Sequence, residues 1–126
     1  MQYALIFYEM PAESARRNGP DAEDYWTSWT NYMAMMRERG AMKGGNALHP
    51  GKGTLVKHAA DGSRIVEDGP YAESREELGG FVIVDVENLD AAITFASAAP
   101  CAQAGKGRVE VHPVLEMQSK PAEDAA

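Results

Sequence analysis

The first apolar run of the chain, "YALIFY" at residues 3–8, is too short for a typical helix and rich in aromatic and branched side chains, which predicts a strand covered on both faces. The next segment, "AESARRNGP", has no regular period and reads as an irregular connection closed by Gly19 and Pro20. From Asp21 the period lengthens. Ala22, Tyr25, Trp26, Trp29, Tyr32, Met33 and Met36 recur at spacings of three and four, which makes one helical stripe over residues 21–39. Asp21 suits its N-cap and Gly40 its C-terminal stop. A short strand is expected near Met42, interrupted by Gly44 and Gly45. "GTLVKH" and "SRIVE" then read as two strands joined at Asp61-Gly62, because glycine tolerates the positive φ of a tight hairpin turn. "EDGPYAESREELGGF", residues 67–81, reads as a turn followed by an acidic helical turn, and "GGFVIVDV" as a second apolar strand. "NLDAAITFASAAP" predicts a second helix, with Asn88 as N-cap, Leu89, Ala92, Ile93 and Ala96 on its buried face, and Pro100 ending it. The last segment, "GRVEVHPVLEM", alternates: Val109, Val111, Pro113, Leu115 and Met117 face one way, Glu110, His112 and Glu116 the other.

This order of elements predicts an α+β fold, a ferredoxin-like split βαβ plait with an antiparallel sheet and an inserted β-hairpin. Two helices can cover only one face of such a sheet, yet the two apolar strands are apolar at both alternating sets of positions. A second copy of the chain is the simplest cover for the other face, so a homodimer is expected, with clefts between helix, sheet and inserted hairpin. With 126 residues, 44% of them apolar and 25% charged, the chain reads as one globular domain over residues 1–117, followed by a flexible tail over 118–126 that has little to bury. The net charge of −7, with Lys and Arg scattered, argues against nucleic acid as a partner. The opening "MQYALIFYEM" has no basic leader and only a short apolar run, so neither a signal peptide nor a membrane span is expected, and the default compartment is the cytoplasm. The single cysteine, Cys101, cannot form an intramolecular disulfide and reads as a small, partly buried residue after the second helix.

Asp68 is the first candidate for chemistry. Its carboxylate either fixes the turn before Pro70 by accepting a backbone N–H, or stands at the mouth of an apolar cleft where desolvation would tune it as a general acid or base. His49, His58 and His112 are the only histidines, each near a loop or an outward strand position; His49 is the one that could fold over the cleft toward Asp68. Trp26, Trp29 and Tyr71 are candidate ligand-binding aromatics, set against the ordinary reading of such a stripe as core. Arg75, beside Glu73, Glu76 and Glu77, is either part of a solvated ion-paired turn or a partner for a ligand carboxylate. Glu110 and His112 share a strand face, but two ligands are too few to hold zinc, so no metal site is expected. "GNALHPGKGT" lacks the spacing and the following helix of a phosphate loop, and neither a dinucleotide fingerprint nor a nucleophile elbow is present, so no cofactor is expected.

The segment "EDGPYAESREELGGFVIVDVENLDAAITFA" together with "GRVEVHPVLEM" resembles the DGPF proteins, a subgroup of the YCII-related family, with Asp68, Gly69, Pro70 and Tyr71 as the naming tetrapeptide and Tyr in place of the usual Phe. The resemblance runs from the first strand through "GGNAL" to the last and implies a dimeric α/β barrel fold. It also implies a cleft in which YCII-related proteins bring together an Asp and a His from the first helix. Residues 21–39 contain no histidine, so only Asp68 matches that pair. Three function classes follow: an enzyme acting on a small organic ligand with Asp68 as acid or base, a binding module without chemistry, and an accessory or regulatory protein of the kind suggested by the association of DGPF relatives with alternative sigma factors.

Overall fold

The computed structural model describes residues 1–69 and 75–117. Its principal sheet has the strand order β2-β5-β1-β6, built from β1 (Gln2–Glu9), β2 (Met42–Ala47), β5 (Glu77–Asp85) and β6 (Gly107–Pro113). Every pairing in it is antiparallel, with β1 central between β5 and β6. The hairpin β3 (Thr54–His58) and β4 (Arg64–Asp68) forms a separate two-stranded sheet inserted between β2 and β5. This is the ferredoxin-like plait that the order of apolar runs predicts. Asp61 and Gly62 do make the turn of the hairpin: Gly62 has φ +88°, and the Asp61 carboxylate accepts the Ser63 N–H at 2.9 Å.

The 17-residue helix α2 (Ala22–Glu38) and the nine-residue helix α3 (Leu89–Ser97) lie on one face of the sheet. The strand period places Tyr3, Leu5 and Phe7 of β1 and Val82 and Val84 of β5 beneath them, where they meet Tyr25, Trp29, Tyr32 and Met36 of α2 and Ala92 and Ala96 of α3. Phe7, Trp29 and Tyr32 pack edge to face, with centroids 5.0 to 6.0 Å apart. The Tyr32 hydroxyl donates to the Phe95 carbonyl at 2.8 Å and ties the helices together. α2 stops where expected. Gly40, at φ +70°, sends its N–H to the Arg37 carbonyl, and Ala41 sends its own to Met36, the paired bonds of a Schellman motif.

Several expectations are corrected. The connection after β1 is a four-residue helix, α1 (Pro11–Ser14), continued by a 3-10 turn (Ala15–Asn18), because Pro11 presets the first helical turn. Asp21 does not cap α2; its carboxylate accepts from Arg16 Nε at 2.6 Å. Asn88 does cap α3, accepting the Ala91 N–H at 2.9 Å. Of the four residues expected on the buried face of α3, only Ala92 and Ala96 are buried, while Leu89 and Ile93 are each 47% exposed. α3 also ends before Pro100, which instead opens a second 3-10 turn (Pro100–Ala102). β6 ends at Pro113, so Leu115 and Met117 extend no strand and are exposed. The acidic helical turn expected around Arg75, Glu76 and Glu77 is not a helix, since residues 75–76 form a bend and β5 begins at Glu77; residues 70–74, like the tail over 118–126, lie outside the described residues. Among the described residues no helix is long and apolar enough to cross a membrane.

Candidate functional site

The buried set of β1 runs Tyr3, Leu5, Phe7 and then Glu9, so the strand period carries a carboxylate into the core with 0% exposure. A charge in that position requires partners. It has two: Arg17 donates from Nη2 to Glu9 Oε1 at 2.9 Å, and the Tyr25 hydroxyl donates to Oε2 at 2.5 Å. Arg17 also donates from Nε to the Tyr25 oxygen at 2.7 Å, from Nη1 to the Leu48 carbonyl at 2.6 Å and from Nη2 to the Gly79 carbonyl at 3.0 Å. The guanidinium thus joins the 3-10 turn, α2, the loop after β2, and β5. Burial, together with the adjacent Glu9 carboxylate, pushes the Tyr25 phenol well above the ordinary tyrosine range, so it holds its proton.

Beside this cluster, α2 and the β2/β5 end of the sheet enclose a cavity of ≈ 250 Å³. α2 carries two stripes one residue apart. Tyr25, Trp29, Tyr32 and Met36 enter the core, whereas Trp26, Thr30, Met33 and Arg37 border the cavity, which Trp29 and Phe7 reach from the core side. Gly45, Gly79 and Gly80 line the opposite side with bare backbone. Arg17 closes one end, its guanidinium carbon 5.2 Å from the Trp26 ring centroid, while the Trp26 indole N–H donates to the Arg17 carbonyl at 3.2 Å. The Trp29 indole N–H is buried with no acceptor among the described residues.

The predicted residues separate. Trp26 and Trp29 come together in this cavity. His49 is exposed and borders a second, neighbouring cavity of ≈ 550 Å³ with Ser14 and Glu77, which shares Arg17 and Trp26 with the first. Asp68, the last residue of β4, is exposed on the hairpin and accepts from Thr54 Oγ1 at 3.0 Å; it borders neither cavity. Arg75 is exposed in the bend before β5, and Tyr71 lies outside the described residues. Cys101 is fully buried, and burial, followed by the Glu9 charge, pushes its thiol up to about 12, so it is no nucleophile at neutral pH. Sequence reasoning missed Glu9, Arg17 and Arg37. The signal for Glu9 was present, since a carboxylate continuing an alternating buried set demands a cation.

A four-stranded antiparallel plait carrying an inserted hairpin and an apolar cleft between α2 and its strand edge defines a ferredoxin-like α+β domain with a candidate site beside that helix. Residues 1–118 match the YCII-related domain, and the chain belongs to that family. An uncharacterised protein of Rhizobium meliloti (strain 1021) is 42% identical over 59 residues, 47% of this chain and 47% of that protein, so the chain spans about half the length of this curated relative in their match. The solved 5-chloro-2-hydroxyhydroquinone dehydrochlorinase (TftG) of Burkholderia phenoliruptrix AC1100, in complex with 2,5-dihydroxybenzoquinone, is similar with a TM-score of 0.53 and 15% identity over 93% of this chain and 96% of that one. That likeness speaks for the fold.

Proposed function

We propose that the chain is a DGPF-type member of its family that binds a small, flat organic molecule in the cavity between α2 and the β2/β5 edge, as one subunit of a homodimer. The cavity carries the reading: ≈ 250 Å³, walled by Phe7, Trp26, Trp29 and Met33 and floored by glycine backbone, it offers ring faces and close backbone approach to a planar ligand. The structural neighbour's quinone is an instance of a flat ring compound held by a protein of this fold. Binding is favoured over acid–base chemistry because, of the titratable side chains at the cavity wall, Arg17 and Tyr25 are consumed by mutual hydrogen bonds and by Glu9, and Arg37 carries a guanidinium that keeps its proton. Asp68, on the hairpin, takes no part in this reading. The dimer is supported by the sheet face away from the helices. There Ala4 and Ile6 of β1 stand in register with Ile83 and Phe81 of β5, an apolar band only half-buried within one chain.

Calorimetric titration with 1-naphthamide, a neutral flat probe, tests the cavity. The wild-type protein is expected to bind it, and Met33→Trp, which fills the space, is expected to weaken binding roughly tenfold or more while leaving the melting temperature unchanged or raised. Absence of binding, or equal binding by Met33→Trp, would overturn the reading.

A further inference from the structure

The cavity wall is asymmetric in charge. The chain has 19 acidic against 12 basic side chains, yet the residues bordering this cavity include Arg17 and Arg37 and no carboxylate. Arg17 is already neutralised, with Glu9 at 2.9 Å and its donors taken by Tyr25 and two carbonyls. Arg37 is placed differently. It stands one turn beyond Met33 on the cavity stripe of α2, exposed at the rim, and its neighbours one turn back on the helix are Met33 and Ala34, neither of which is acidic. Among the described residues no carboxylate pairs with it.

The faces of two indoles set the rest of the ligand. The rings of Trp26 and Trp29 border the cavity, whereas the Trp29 indole nitrogen is buried with almost no accessible surface and no acceptor among the described residues, so the wall offers ring faces rather than that donor. Ring faces and an unspent guanidinium together describe one class of ligand.

Building on the reading of this cavity as a binding site, we infer that its ligand is an aromatic carboxylate. The ring lies against Trp26 and Trp29, and the carboxylate accepts from the Arg37 guanidinium fork at the rim, a planar pairing that a neutral amide reproduces poorly. Arg17 does not bind the anion; it holds the wall in place.

The test compares 1-naphthoate with its neutral isostere 1-naphthamide by calorimetric titration at pH 7 and low salt. Naphthoate is expected to bind about tenfold more tightly, the scale of one charge-assisted pair at a half-solvated rim. Arg37→Gln is expected to erase that preference, and added salt to narrow it in the wild-type protein. Arg39→Gln, two residues on but outside the cavity, is expected to keep the preference. Equal affinity for the two probes, or a preference that survives Arg37→Gln, overturns the carboxylate inference and leaves the cavity reading standing. Failure of both probes to bind overturns the cavity reading and this inference with it.

Discussion

Gly79 has no side chain because Glu9 and Arg17 occupy the place where one would stand. A Cβ there would lie 2.7 Å from Glu9 Oε1 and 3.0 Å from Arg17 Nη2. Neither atom can retreat freely, since the carboxylate is held by Tyr25 and the guanidinium by the Leu48 carbonyl. Gly79→Ala is therefore expected to destabilise the fold by about 1–3 kcal/mol, as overpacking of a rigid site does. Chemical denaturation would measure it, and a midpoint unchanged from wild type would show that the cluster is soft. The same site shows what a single sequence discloses. The Leu78, Gly79, Gly80, Phe81 run is conspicuous, and its physical cause, a buried ion pair contributed by Glu9 and Arg17, lies 62 or more residues away along the chain. Only the Glu9 half was inferable, from its place in the alternation of β1. Arg17 sits in a segment without periodicity, where nothing local distinguishes a buried arginine from a solvated one.

At the scale of elements, the legible features were those that repeat or punctuate. Gly40, Asn88 and the Asp61-Gly62 turn act as read, because capping and turn chemistry is decided within a few residues. The division of α2 into two stripes was not legible. Trp26 and Met33 fit the same spacing rule as Trp29 and Tyr32, and only the position of the β2/β5 edge separates cavity wall from core. Leu89 and Ile93 likewise match a buried helical face, yet the short α3 turns them outward, since its contact with β6 and β1 is made through Ala92 and Ala96. Asp68 stood out in its motif, but which cavity, if any, it meets depended on where an inserted hairpin swings. The contrast between two cap candidates is testable. Asn88→Ala removes an observed acceptor from the first turn of α3 and is expected to cost about 1 kcal/mol. Asp21→Ala removes only an exposed partner of Arg16 and is expected to cost less. Thermal melts of the two variants decide it; an equal or larger loss for Asp21→Ala would mean that the Arg16 contact organises the entry to α2.

For the whole molecule, the question is what covers the sheet face opposite the helices. Pairing in register sets Ala4 beside Ile83 and His112, Ile6 beside Phe81 and Glu110, and Tyr8 beside Arg108. The face is thus an apolar band bordered on the β6 side by an ionic row, in which Arg108 pairs with Glu76 and Glu110, and His112 lies 3.0 Å from Glu110. A band of this kind, flanked by both signs of charge, can meet its own copy across a two-fold axis without placing only like charges opposite one another. A standard interface of about 800 Å² per partner would remove it from water. Ile6→Glu places a charge at the centre of the band beside Glu110, where burial against a partner would leave it without a counter-ion. Light scattering is expected to give twice the chain's mass for the wild-type protein at micromolar concentration and the monomer mass for Ile6→Glu, with far-ultraviolet circular dichroism preserved in both. Since the helix-side core of Leu5, Phe7, Val82 and Val84 is untouched by that substitution, a variant that unfolds rather than dissociates would show that the plait cannot stand without its partner. A wild-type monomer would leave the band to water and remove the homodimer from the proposal, while the cavity, enclosed by α2 and the sheet edge of one chain, would stay where it is.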